Sequence, residues 1–136
     1  MILATPDELL ARTRTIAVVG ASPDPWRPSR GVFRALRADG RFAVHPVNPD
    51  AETVDGVASY PSLAAYAAEH GAPDLVDVFR APRYAALAAR DAVDVRAKAI
   101  WFQLGVINEN AIGAAERAGL DVVVDRCLAV DARALR

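Results

Sequence analysis

The chain has 136 residues, 53% of them apolar, which suits one domain with a single buried core. Its 16 basic and 17 acidic residues leave a net charge of −1, so no whole-molecule field draws it to nucleic acid or to an anionic membrane surface. One cysteine, Cys127, excludes an internal disulfide, and two histidines far apart in sequence offer no zinc-ligand spacing; a cytoplasmic protein without a structural metal is expected.

The predicted elements begin with Thr5, Pro6, Asp7 and Glu8, an N-cap, a proline at the first helical position and acids in the first turn, which together predict a short leading helix. The first twelve residues lack the apolar stretch of a secretory signal, and no run approaches a membrane span. A first strand over 15–19 stops at Gly20 and opens into a Ser/Pro/Asp turn before a helix over 29–38. A second strand over 43–47 ends in Asn48, Pro49 and Asp50, and 51–60 follows as a polar excursion with Asp55-Gly56 as a tight turn. A helix over 62–69 leads to a third strand over 75–79, and a helix over 82–93 to a fourth over 99–102. The last pair is a helix over 109–118 and a strand over 122–124. Gly40, Gly71 and Gly119 stand where helix ends need a left-handed residue, and Ser62 and Asn108 where N-caps are wanted.

This alternation predicts one Rossmann-like α/β domain over 1–136, a five-stranded parallel sheet in the order 3-2-1-4-5 with helices on both faces. The ends of the first four strands then lie side by side at one crest, where such folds bind nucleotide-like ligands.

Gly20 permits a sharp turn and close approach of a ligand, and Ser22 with the following backbone offers donors to a diphosphate at the next helix's N-terminus; the alternative is an ordinary turn closed by the Ser22 side chain. The loop is neither G-x-G-x-x-G nor a P-loop, which disfavours a standard dinucleotide or triphosphate site. Asn48 replaces the acid that normally binds ribose in NAD-type proteins, and it reads either as a ribose or adenine contact or as a turn residue. Arg27, Arg30 and Arg80 lie nearest the crest and suit phosphates, whereas Arg34 and Arg37 read as a solvated helix face. His70 before Gly71 reads as a helix-end cation, His45 as a sheet histidine, Cys127 as a small packing residue and Trp101 as core. Trp26 either covers a ligand or caps its loop.

The segments VVGASPDPWRPS, HPVNP, DLVDVFRAP, AIWFQLGVINENA and AGLDVVVDRC resemble the small stand-alone CoA-binding proteins, which are themselves similar to the CoA-binding domain of the succinyl-CoA synthetase α subunit. The resemblance implies that Gly20, Ala21, Ser22 and Pro23 meet CoA phosphates and that Val47, Asn48 and Pro49 flank the adenosine. It also implies that Phe79, Arg80 and Pro82 with Gln103, Leu104 and Gly105 line the rest, and that Arg30 and Arg80 are the foremost phosphate partners. The ligase-type relatives use a phosphorylated histidine in a second domain, and neither His45 nor His70 occupies a matching motif. Non-catalytic binding of coenzyme A or acyl-CoA is therefore expected, with a protein partner or a second copy left open. The alternatives are an NAD(P)-dependent enzyme and the CoA-binding subunit of a split acyl-CoA ligase.

Overall fold

The computed structural model describes residues 5–135, so residues 1–4 and 136 of the expected domain lie outside the described residues. Helix α1 (Pro6–Ala11) starts at an N-cap where Thr5 Oγ1 accepts from Glu8 N. Strand β1 (Thr15–Val19) leads to α2 (Pro28–Asp39), which stops at Gly40 in the left-handed region, and to β2 (Ala43–Val47). The excursion after β2 is a hairpin of two short strands, β3 (Thr53–Val54) and β4 (Val57–Ala58), turning at Asp55-Gly56 as expected. Then come α3 (Leu63–His70), capped by Ser62, and β5 (Leu75–Val78). A 3-10 turn over Pro82–Tyr84 begins the next helix, α4 (Ala85–Asp94), before β6 (Ala99–Phe102). The chain closes with α5 (Glu109–Arg117), capped by Asn108, β7 (Asp121–Val124) and α6 (Leu128–Ala134). The last helix is not predicted by the sequence pattern, whose signal there is a single i, i+4 apolar pair, Leu128 and Ala132, both buried.

The five core strands are parallel, with helices on both faces, as predicted. Their order is β2-β1-β5-β6-β7, or 2-1-3-4-5 counting core strands alone, rather than 3-2-1-4-5. The third core strand thus enters beside β1 and leaves β2 at the edge. Pro46 supplies the physical reason: its carbonyl points outward and accepts from Tyr60 N, so the donor that proline lacks is the outward one. Tyr60 covers this edge, its own carbonyl accepting from Asn48 N.

Alternate strand residues feed two cores, as a sheet buried on both faces requires. Ala17, Val76, Val78, Ile100, Phe102 and Val122 pack under α3, α4 and α5. Ile16, Val18, Leu75, Trp101 and Val123 pack under α1, α2 and α6, and Trp101 is fully buried, with its indole Nε1 donating to Arg126 O.

Candidate functional site

The five strands end in one row: Val47, Val19, Val78, Phe102 and Val124 are paired across the sheet. The crest is built from the residues after them. Gly20 N donates to Val47 O at 2.9 Å, and Phe79 N donates to Val19 O at 2.8 Å. Gly20 has φ +85°, and a Cβ there would lie 2.4 Å from Phe79 O. The close approach that glycine permits is therefore made by the chain's own backbone at the end of β5, at the switch point between β1 and β5.

Most backbone donors of the loop from Ala21 to Pro28 are bound within it or at the start of α2. Ser22 N donates to Ser29 Oγ at 3.0 Å, Ser22 Oγ accepts from Asp24 N, and Asp24 Oδ1 accepts from Trp26 N. Pro23, Pro25 and Pro28 carry no N–H. Of the two readings of Ser22, the side-chain-closed turn is the one present. Asn48 likewise acts as a turn residue: its Nδ2 donates to Ala21 O at 2.8 Å and its Oδ1 accepts from Asp50 N, tying the ends of β1 and β2 together. Trp26 is 91% exposed and caps nothing. Arg27 is the N-cap residue of α2 and makes no side-chain capping bond. Arg30 reaches Asp55 on the hairpin at 2.9 Å, and Arg34, read from sequence as a solvated face, reaches the same carboxylate at 3.1 Å.

Gly20, Val47, Pro49 and Arg80 come together in a cleft of about 200 Å³ on the α3/α4 side of the crest. Its further walls, unforeseen in the sequence, include Pro61, Ser62 and Leu63 at the start of α3 and Tyr84, Leu87 and Asp91 from the 3-10 turn and α4. Tyr84 was the readable signal, an aromatic residue four positions after Arg80. The Arg80 and Arg83 guanidinium carbons each stand 4.8 Å from the Tyr84 ring centroid, and a hydrogen bond with Arg83, helped by its charge, holds the Tyr84 hydroxyl below its ordinary pKa. Arg80 makes no ion pair among the described residues.

The other predicted residues lie away from the cleft. Phe79 packs on the α2-side core. Pro82 O accepts from Asn108 Nδ2 at 2.9 Å, joining two crest loops. Gln103 turns into the core, where its Nε2 donates to Asp77 Oδ1 at 2.6 Å; both side chains are buried, and Asp77 Oδ2 has no partner. Burial pushes the Asp77 carboxyl up to about 8, against a smaller opposing effect of the Gln103 hydrogen bond. An acid inside an otherwise apolar strand was its sequence signal. Leu104 is exposed, and Gly105, at φ +78°, donates its N–H to Asp125 Oδ1.

Neither histidine stands at the crest. His45 and His70 stack with centroids 4.2 Å apart beside Tyr60 and Tyr66, and the Tyr60 hydroxyl lies 2.6 Å from His70 Nε2. Burial, and then the neighbouring His70, lowers the His45 pKa. Since α3 starts at the cleft with Leu63 and rises 1.5 Å per residue, the His70 backbone lies about 10 Å farther along the helix axis. Cys127 is a free, half-buried thiol at the start of α6. Among the described residues no helix is long and apolar enough to cross a membrane.

Comparison with known proteins places this crest in a family. The uncharacterized protein YneT of Bacillus subtilis (strain 168) is 34% identical over 123 residues, which cover 90% of this chain and 88% of that protein. A hypothetical protein from Pyrococcus horikoshii OT3 superposes with a TM-score of 0.88 at 34% identity, over 97% of this chain and 92% of the other. A Thermus thermophilus structure does so with a TM-score of 0.86 at 33% identity, over 98% and 100%. The family model of the CoA binding domain matches residues 14–133, every strand and helix from β1 to α5 included, and this chain belongs to that CoA-binding family.

Proposed function

We propose that the protein binds coenzyme A or an acyl-CoA across the crest, in the cytoplasm and without catalysing a reaction itself. The observation that carries this reading is the cleft beside Gly20. Apolar walls from Val47, Pro49 and Tyr84 suit a flat adenine, and Arg80, which makes no ion pair among the described residues, stands at its edge for a phosphate. The diphosphate then passes the loop of Ala21, Ser22 and Pro23. Because the loop's Ser22 and Asp24 N–H groups are engaged internally, its contribution falls to the Ser22 hydroxyl proton and to the Arg27 guanidinium. The pantetheine arm runs on past Pro82 toward Leu104 and Gly105. A non-catalytic role is supported by the absence of either histidine from the crest, which leaves no imidazole there to carry a phosphoryl or acyl group.

Isothermal titration with CoA, dephospho-CoA, NAD and NADP side by side tests the reading. Binding of CoA in preference to both nicotinamide dinucleotides is expected. Absence of CoA binding at millimolar ligand, or far tighter binding of NAD or NADP, would refute it.

A further inference from the structure

The α2 flank of the crest carries a charge arrangement that the cleft does not use. Arg30 and Arg34 lie one helical turn apart on α2, hence on one face, and both point at Asp55 on the tip of the hairpin. Arg30 Nη2 stands 2.9 Å from Asp55 Oδ1; Arg34 Nη2 stands 3.1 Å from the same oxygen, and its Nε 3.3 Å from Oδ2. We propose that Arg30 and Arg34 form a clamp for a phosphomonoester on a nucleotide ribose, and that Asp55 occupies this clamp in the free protein as an internal competitor. The inference rests on the reading of the crest as a nucleotide-bearing CoA site and names the group that reading leaves unassigned, the ribose phosphate.

The pair of guanidiniums outnumbers its carboxylate, so one positive charge is left over. The Arg30 Nε–H is also buried with no acceptor, a costly state for a charged donor. A carboxylate has two oxygens and one charge. A phosphomonoester brings three terminal oxygens and close to two charges, enough to face both guanidinium forks and the orphaned Nε–H. The position fits, because α2 begins at the crest and the hairpin follows directly on Asn48, Pro49 and Asp50 at the end of β2, the adenosine side of the site. The half-buried side chains of Arg30 and Asp55, each 17% exposed, keep the group within reach of a ligand while limiting solvent screening. Asp55 also holds φ +50°, a backbone state that asparagine adopts as readily. Turn geometry alone therefore does not call for the charge. A rotation of the Asp55 side chain frees the clamp with no change of backbone.

The test is titration of Asp55→Asn and Arg34→Gln with CoA, dephospho-CoA, NADP and NAD at one ionic strength, with a thermal melt of each variant. The Asp55→Asn variant keeps the turn and is expected to tighten CoA about two- to fivefold, the scale of one partly exposed ion pair, while dephospho-CoA is unmoved. Arg34→Gln should weaken CoA by a similar factor, again sparing dephospho-CoA. Equal shifts for CoA and dephospho-CoA in either variant, weaker CoA binding by Asp55→Asn, or a wild type indifferent to the ribose phosphate overturns the clamp while leaving the CoA reading intact. NADP favoured over NAD, with CoA unbound and the same response to both variants, would sink the CoA reading and leave the clamp. No binding by any of the four overturns both.

Discussion

Replacing Gly20 by alanine separates what this glycine does for the fold from what it does for a ligand. At φ +85° an L-residue is strained by about 1–2 kcal/mol. The added Cβ would also sit 2.4 Å from Phe79 O and 3.0 Å from Phe79 C, which are backbone atoms that cannot swing aside. The end of β1 must then part from β5, placing at risk the Phe79 N to Val19 O bond and its neighbour, Gly20 N to Val47 O, each worth about 1 kcal/mol. The sum is about 3–4 kcal/mol. Gly40 is the control, since it has φ +87° but nothing within 4 Å of an added Cβ, so Gly40→Ala should cost the strain alone. Urea unfolding should therefore place the Gly20→Ala midpoint about 1 M below that of Gly40→Ala, with m unchanged. Equal midpoints would refute the argument that the end of β5 is what demands glycine at position 20.

Three further outcomes are expected. Arg80→Ala should weaken CoA by about 1.5–3 kcal/mol in calorimetry, and an unchanged affinity would remove Arg80 from the site. Asn48→Asp places a carboxylate oxygen where Nδ2 now donates to Ala21 O; it should lower stability by about 1–3 kcal/mol in a urea melt, and a neutral result would deny the tie between the β1 and β2 loops. Asp77 binds its proton more tightly folded, with a pKa of about 8, than unfolded, with 3.8, so between these values the native state holds the extra proton and stability falls as pH rises. Asp77→Asn should therefore be more stable than wild type at pH 8, with the gap closing toward pH 4; parallel pH profiles of the unfolding midpoint would refute the buried neutral acid.

Much of the architecture could be read locally. Apolar runs of four or five residues, helix caps at Thr5, Ser62 and Asn108 and left-handed stops at Gly40, Gly71 and Gly119 are short-range properties, and each stands where the sequence placed it. Polar residues after each strand implied the crest, because parallel strands necessarily end on the same side. The strand order depends on which edge accepts the third core strand, a long-range choice. One local residue bore on it: Pro46 inside the second strand removes a ladder donor on the outer side and so marks an edge, which Tyr60 covers by a single bridge.

The site divides in the same way. The sequence alone determined the family's motifs and the presence of a glycine where β1 ends. Only the tertiary structure decided that the Gly20 approach is to Phe79, that Ser22 and Asn48 spend their polar groups within the loops, and that Gln103 turns inward to Asp77. It alone also set Arg30 against Asp55, twenty-five positions later in the chain, and assembled the cleft from the starts of α3 and α4. The reason is physical: backbone preference and burial period act over a few residues, whereas a hydrogen bond or ion pair goes to whichever partner the packed sheet brings within about 3 Å.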